Sequence, residues 1–148
     1  MPYTLTQVRI LRAPAERVYR ALLEPAALAK WNAPDGFTAV VHELDARVGG
    51  CFRISFTNFS SGQAHSFGGE YRELVPNERI VATDVFDDPN LPGEIVTTTT
   101  LRAVASGTEL VVEQAGLPDV IPPDACRLGW QQSLDLLARL VEPEIPTE

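Results

Sequence analysis

The chain has 148 residues, 45% of them hydrophobic and 22% charged, an ordinary globular composition far from that of a disordered segment. One core is expected at that length, removing roughly 70% of the unfolded chain's accessible surface from water, so residues 1–148 are read as a single domain with its core over about 5–141. Twelve Lys and Arg against twenty Asp and Glu give a formal charge of −8, which argues against a nucleic-acid footprint and against docking on an anionic membrane.

The opening Met1-Pro2-Tyr3-Thr4 lacks the charged and apolar regions of a signal peptide. No apolar run approaches the roughly 20 residues of a transmembrane helix, and a cytoplasmic location is expected. Val8 and Ile10 among polar neighbours predict a first strand ending near Arg12. Pro14 suits the first turn of a helix, Val18, Tyr19 and Leu22 follow at helical spacing, and Pro25 ends it. A second short helix runs from Pro25 to about Lys30 and leads into Trp31, before a turn at Pro34-Asp35-Gly36.

Hairpins follow. A strand is predicted over Phe37 to Leu44, then a Gly49-Gly50 turn. Phe52, Ile54 and Phe56 alternate with Arg53, Ser55 and Thr57, the period of a half-buried strand. After the loop Ser60-Ser61-Gly62-Gln63, Phe67, Gly69 and Tyr71 share one face of the next strand. Beyond the Pro76-Asn77-Glu78 turn, Ile80, Ala82, Asp84 and Phe86 share one face of another. Two further strands, about Glu94–Ala103 and Thr108–Gln114, flank Ser106-Gly107, completing a meander of about six antiparallel strands. A final helix spans about Pro122 to Val141, with Cys126, Trp130, Leu134, Leu137 and Val141 forming its apolar stripe. That stripe needs a sheet to cover it.

Polar residues interrupt the inward rows. Thr97 to Thr100 run consecutively, so one inward row carries Thr97 and Thr99; Asp84 is in phase with Ile80 and Phe86, and Gln114 with Leu110 and Val112. A threonine in a valine's place brings a hydroxyl that must be hydrogen-bonded. Three such intrusions on neighbouring strands point to a cavity. Against this, the threonines also suit strand propensity with backbone-bonded hydroxyls. Asp84 can instead be solvated or paired with Arg79 or Arg53, and Gln114 can simply anchor backbone. The aromatic residues Trp31, Phe37, Phe52, Phe56, Phe67, Tyr71, Phe86 and Trp130, with Ile54, Cys126 and Leu134, serve equally as core or as cavity wall.

Catalytic and metal motifs are not found. Ser61, His65 and Ser66 share one loop without a nucleophile elbow. Asp87-Asp88 with Asn90 lacks the ligand spacing of a calcium loop, and Gly68-Gly69 opens no helix, so it reads as a bend in the sheet. Cys51, Cys126, His42 and His65 are scattered singly, unlike structural zinc ligands. No metal and no cofactor are expected. His42 is the titratable residue of most interest: inward if in phase with Val40 and Leu44, outward if Val41 is the buried position. In the first case it would form an acid–base pair with Asp84.

The order strand, two short helices, meander, long helix resembles the α+β helix-grip fold of the birch-pollen allergen. Particular segments narrow the resemblance: Ala13-Pro14-Ala15-Glu16-Arg17-Val18-Tyr19, Leu28-Ala29-Lys30-Trp31, Arg47-Val48-Gly49-Gly50-Cys51-Phe52-Arg53 and Gly69-Glu70-Tyr71-Arg72-Glu73-Leu74-Val75-Pro76. Gly107-Thr108-Glu109-Leu110 and Gly129-Trp130-Gln131-Gln132-Ser133-Leu134 complete the set. Together these are similar to the bacterial START-like proteins related to the activator of heat-shock protein 90 ATPase, within the SRPBCC superfamily. The resemblance implies a curved antiparallel sheet of six to seven strands gripping the long helix around a cavity. It implies in turn a binding protein for a small, apolar or amphipathic molecule. A cyclase- or dehydratase-like enzyme is the alternative, and a protein-interaction module a third. The co-chaperone that lends the family its name carries an additional N-terminal domain for which this chain has no room, which weakens the transfer of a chaperone partner. A homodimer is compatible with the sequence.

Overall fold

Period-two patterning makes strands of most of the chain, and the computed structural model, which describes residues 2–146, joins them in one sheet. In chain order the elements are β1 (Tyr3–Leu11), α1 (Ala15–Leu23), α2 (Pro25–Trp31), β2 (Phe37–Leu44), β3 (Cys51–Asn58), β4 (Ala64–Val75) and β5 (Arg79–Phe86). β6 (Ile95–Val104), β7 (Gly107–Leu117) and α3 (Pro123–Val141) complete them. The seven antiparallel strands lie in the order β1-β7-β6-β5-β4-β3-β2. The meander β2 to β7 is thus extended at its far edge by β1, which pairs with β7 from Tyr3↔Leu117 to Leu11↔Thr108. The architecture is the α+β helix-grip fold: a curved sheet holding α3 against its concave face, with α1 and α2 between β1 and β2.

Proline sets the helix boundaries. The Pro14 carbonyl accepts the N–H groups of Arg17 and Val18 and opens α1. At Glu24 the backbone N–H closes α1 on the Arg20 carbonyl, while the Glu24 carbonyl accepts from Leu28 N and opens α2. Pro25, in the first turn of α2, has no N–H to leave unpaired. α3 follows Pro122 in the same way.

The densest core lies where α1 and the C-terminal half of α3 meet the ends of β1, β6 and β7. Leu11, Val18, Leu110 and Leu137 are fully buried there, with Val141 and Leu101 beside them. A second cluster, Phe52, Ile54, Tyr71, Ile80 and Ala82, faces the other half of the concavity from β3, β4 and β5.

Two irregularities shape that half. A register shift between Val41 and Glu43 leaves both His42 and Glu43 exposed, so Val41 and Leu44 turn inward with one extra residue between them. The alternative that set His42 inward with Val40 and Leu44 is therefore corrected: Val40 and His42 face out. On β4, a Cβ at Gly69 would collide with the Thr83 carbonyl, so only glycine permits the close approach of β4 and β5. β7 also extends past the expected end at Gln114, because Gly116 adopts φ +86° and lets pairing continue to Leu117.

Candidate functional site

Between the sheet and the N-terminal half of α3 lies a cavity of about 380 Å³ that opens to solvent. That is the size of a small-molecule site. Its wall is mostly apolar: Phe52, Ile54 and Phe56 from β3, Phe67 and Tyr71 from β4, Phe86 from β5, and Trp31 at the end of α2. Trp31 donates its indole N–H to the Ala21 carbonyl at 2.9 Å, which locks α2 onto α1 and leaves a ring face for the cavity. Phe56, Phe67 and Phe86 form a sequence of edge-on rings, at centroid separations of 5.1 Å and 6.0 Å.

The polar interruptions converge on one wall. Register sets Gln114 opposite Thr97, Thr97 opposite Ala82, and Ala82 opposite Tyr71, a single row across four strands. Asp84 is two residues from Ala82 and thus diagonal to Thr97, within reach of its hydroxyl. The four polar side chains form one directed chain. Trp130 Nε1 of α3 donates to Gln114 Oε1 at 2.7 Å, Gln114 Nε2 donates to Thr97 Oγ1 at 3.2 Å, and Thr97 Oγ1 donates to Asp84 Oδ2 at 3.0 Å. Indole has only a donor, so Gln114 must turn its carbonyl toward α3 and its amide toward Thr97. Thr97, accepting from Gln114, passes its own hydrogen to the carboxylate. Every link therefore points toward Asp84.

Burial pushes the Asp84 carboxyl up from 3.8 to about 6, with the Thr97 hydrogen bond opposing the rise. The arginines that sequence reading offered it are engaged elsewhere: Arg53 with Asp87 and Arg79 with Glu73 at 3.0 Å. Tyr71 is only 5% exposed, and burial together with the Asp84 charge holds its phenol well above the usual range. Cys126, a free thiol on α3, also lines the cavity and is raised by burial. Thr99 completes the polar wall one row from Thr97.

Three sequence candidates lie elsewhere. Leu134 is buried in the dense core, one turn beyond Trp130, where α3 already touches the sheet. Phe37 stands outside the lining, its ring 6.2 Å from that of His65. His42 is on the outer face, where its Nε2 lies 2.6 Å from Ser55 Oγ, and Ser55 Oγ lies 2.6 Å from Ser66 Oγ. A His42–Asp84 pair is thus excluded, because the sheet separates them. His65 was read as part of a loop with Ser66, but strand alternation puts Ser66 outside and His65 at the cavity wall against Phe56.

Other wall residues were not singled out from the sequence. Ile80, Ala82 and Ile95 share phase with Asp84, Thr97 and Thr99, so alternation alone could have added them. Leu22, Leu28 and Ile121 carry no such signal, since only docking of the helices and of the 118–122 loop brings them to the cavity. Tyr3 Oη donates to the Ile121 carbonyl at 2.6 Å, tying that loop to β1. Ser133 Oγ donates to the Asn32 carbonyl at 3.0 Å and ties the end of α2 to α3.

A helix-grip domain with a hollow, mainly apolar interior defines the class: a ligand-binding fold. Residues 12–142 match the family described as Activator of Hsp90 ATPase homolog 1-like protein, and the chain belongs to that family. A crystal structure of a protein from Chromobacterium violaceum is similar at 58% identity and TM-score 0.95, over 97% of this chain and 100% of that one. A Rhizobium leguminosarum protein is similar at 27% identity and TM-score 0.77, over 97% of each chain. A Rhodobacter sphaeroides protein at 23% identity and TM-score 0.82, over 93% and 91%, shares the fold. No protein of curated function matches the chain. Among the described residues no helix is long and apolar enough to cross a membrane.

Proposed function

We propose that the protein holds a small, largely apolar molecule in the cavity between sheet and α3, and orients it through one polar group at Asp84. The observation that carries this reading is the directed chain from Trp130 to Asp84, set in a wall that is otherwise aromatic and aliphatic. A solid core has no use for a carboxylate whose only hydrogen-bond donor among the described residues is Thr97. A site needs a few convergent polar groups on apolar walls.

The test is saturable binding of the neutral fluorophore N-phenyl-1-naphthylamine. Wild-type protein should bind it at one site. Ala82→Phe, which fills the cavity with a ring, should weaken binding at least tenfold while circular dichroism stays unchanged. Equal binding by both proteins overturns the reading.

One observation favours a second reading, an enzyme of cyclase or dehydratase type. A carboxyl raised to about 6 is matched to proton transfer near neutral pH, and Tyr71 shares its cavity. Turnover of a bound ligand that Asp84→Asn abolishes, with binding kept, would establish it over simple storage or transport.

A further inference from the structure

Only one oxygen of Asp84 is accounted for. Thr97 donates to Oδ2, whereas Oδ1 has no hydrogen-bond donor among the described residues and is not sealed off from the cavity. Oδ1 therefore keeps accessible surface, and Asp84 presents that surface on the cavity face of β5. The adjoining strand leaves it uncovered. Pairing of Phe67 with Phe86 and of Gly68 with Val85 sets Gly69 beside Asp84, so β4 puts no side chain over the carboxylate.

No fixed cation answers this charge. None of the described residues lining the cavity is Lys or Arg. Arg53 of β3, Arg72 of β4 and Arg79 of β5 itself pair with Asp87, Glu94 and Glu73. The titratable groups that share the cavity are Tyr71 and His65 on β4 and Cys126 on α3, with Tyr19 of α1 close enough to influence Tyr71. Tyr71 and Cys126 are held in their neutral forms by burial, and among the described residues His65 makes no ion pair with Asp84. The walls from β3, β6, β7 and α2 contribute no titratable side chain. A carboxylate in such a place is costly until a cation is brought to it. The surrounding Phe67, Phe86 and Tyr71 rings offer faces that attract a cation further.

We infer that the ligand class is a protonated amine on an apolar body, its ammonium bonded to Asp84 and packed against those rings. This rests on the container reading above and names the polar group that reading leaves open. A hydroxyl group would satisfy Oδ1 as a donor and leave the charge unbalanced, and a carboxylate ligand would be repelled. The formal charge of −8 also favours approach of a cation. Burial holds Asp84 at about 6, so the carboxylate is ionised at pH 7.5 and largely protonated at pH 5, while an alkylammonium stays charged at both.

The test is displacement of N-phenyl-1-naphthylamine by three probes of one skeleton: 4-phenylbutylamine, 4-phenylbutan-1-ol and 4-phenylbutanoate. At pH 7.5 the amine should displace the fluorophore at a concentration at least tenfold below the alcohol, with the acid weakest. The amine's advantage over the alcohol, read as the ratio of their displacing concentrations, should fall to within about threefold at pH 5, and Asp84→Asn should bring that ratio to the same range at pH 7.5. An alcohol equal to or better than the amine in wild-type protein overturns the inference, with the container reading intact because the neutral fluorophore binds. No binding of the fluorophore or of any probe overturns both. The wild-type pH comparison decides the matter even if the variant fails to fold.

Discussion

The two halves of α3 meet the same sheet and do opposite things. From Leu134 to Val141 the helix buries Leu134, Leu137, Ala138 and Val141 in one apolar cluster with residues of β1, β6, β7 and α1. From Cys126 to Trp130 it stands off the sheet: Cys126, Gly129 and Trp130 are half-buried, Arg127 and Leu128 are exposed, and Trp130 reaches β7 through a hydrogen bond from its indole to Gln114. The packed half carries stability through apolar burial, and the hollow half forgoes part of that burial for a space with one charged group. On the proposed reading, stability and binding belong to separate stretches of one helix.

The largest effect should come from breaking the packed half. Leu137→Ala removes a fully buried side chain and should cost about 2–5 kcal/mol, read as a lower urea midpoint with the slope unchanged.

The hollow half should respond in the opposite sense. Because Asp84 goes from 3.8 to about 6 on folding, the folded state binds a proton more readily than the unfolded chain between those values. Its contribution therefore favours folding below pH 4 and is lost as pH rises through 6, by roughly 2–3 kcal/mol at most. Asp84→Asn should lack that decline and be more stable than wild type at pH 7. The difference between the two urea midpoints across pH 4–7 measures it, and a parallel pair of curves would show that the carboxyl is not perturbed.

Trp130→Phe tests the hydrogen bond that ties the lifted half of α3 to β7. It deletes the donor to Gln114 Oε1, should cost about 1 kcal/mol, and should free the Gln114 side-chain carbonyl, seen as a shift of its side-chain NMR signals. His42→Ala should do least. Its partner is Ser55 on the outer face, so stability should change by no more than about 0.5 kcal/mol and fluorophore binding should be unaltered. A marked loss of binding would show that the outer face is coupled to the hollow.

Much of this division was legible before the tertiary structure. The in-phase positions of Asp84, Thr97, Thr99 and Gln114 mark them as facing one way, since strand alternation leaves only two choices. His42 was not decidable in this way, because a bulge between Val41 and Glu43 resets the phase and has no sequence marker of its own. His65 was obscured because its hairpin reads as polar loop, although it is two residues from Phe67 and so lies at the same wall. Leu134 was misplaced for a different reason: a helical stripe shows which face is apolar and not how far along it the sheet stays close.

Local chemistry alone thus determined the elements, their boundaries at Pro14, Pro25 and Pro122, and the inward rows, because proline geometry and side-chain alternation act over a few residues. Tertiary structure decided that β1 joins β7, that α3 lies tight at one end and lifted at the other, and that four polar side chains from β5, β6, β7 and α3 link into one directed chain. These depend on register and on the depth of a curved sheet, which are set by contacts between segments far apart in sequence.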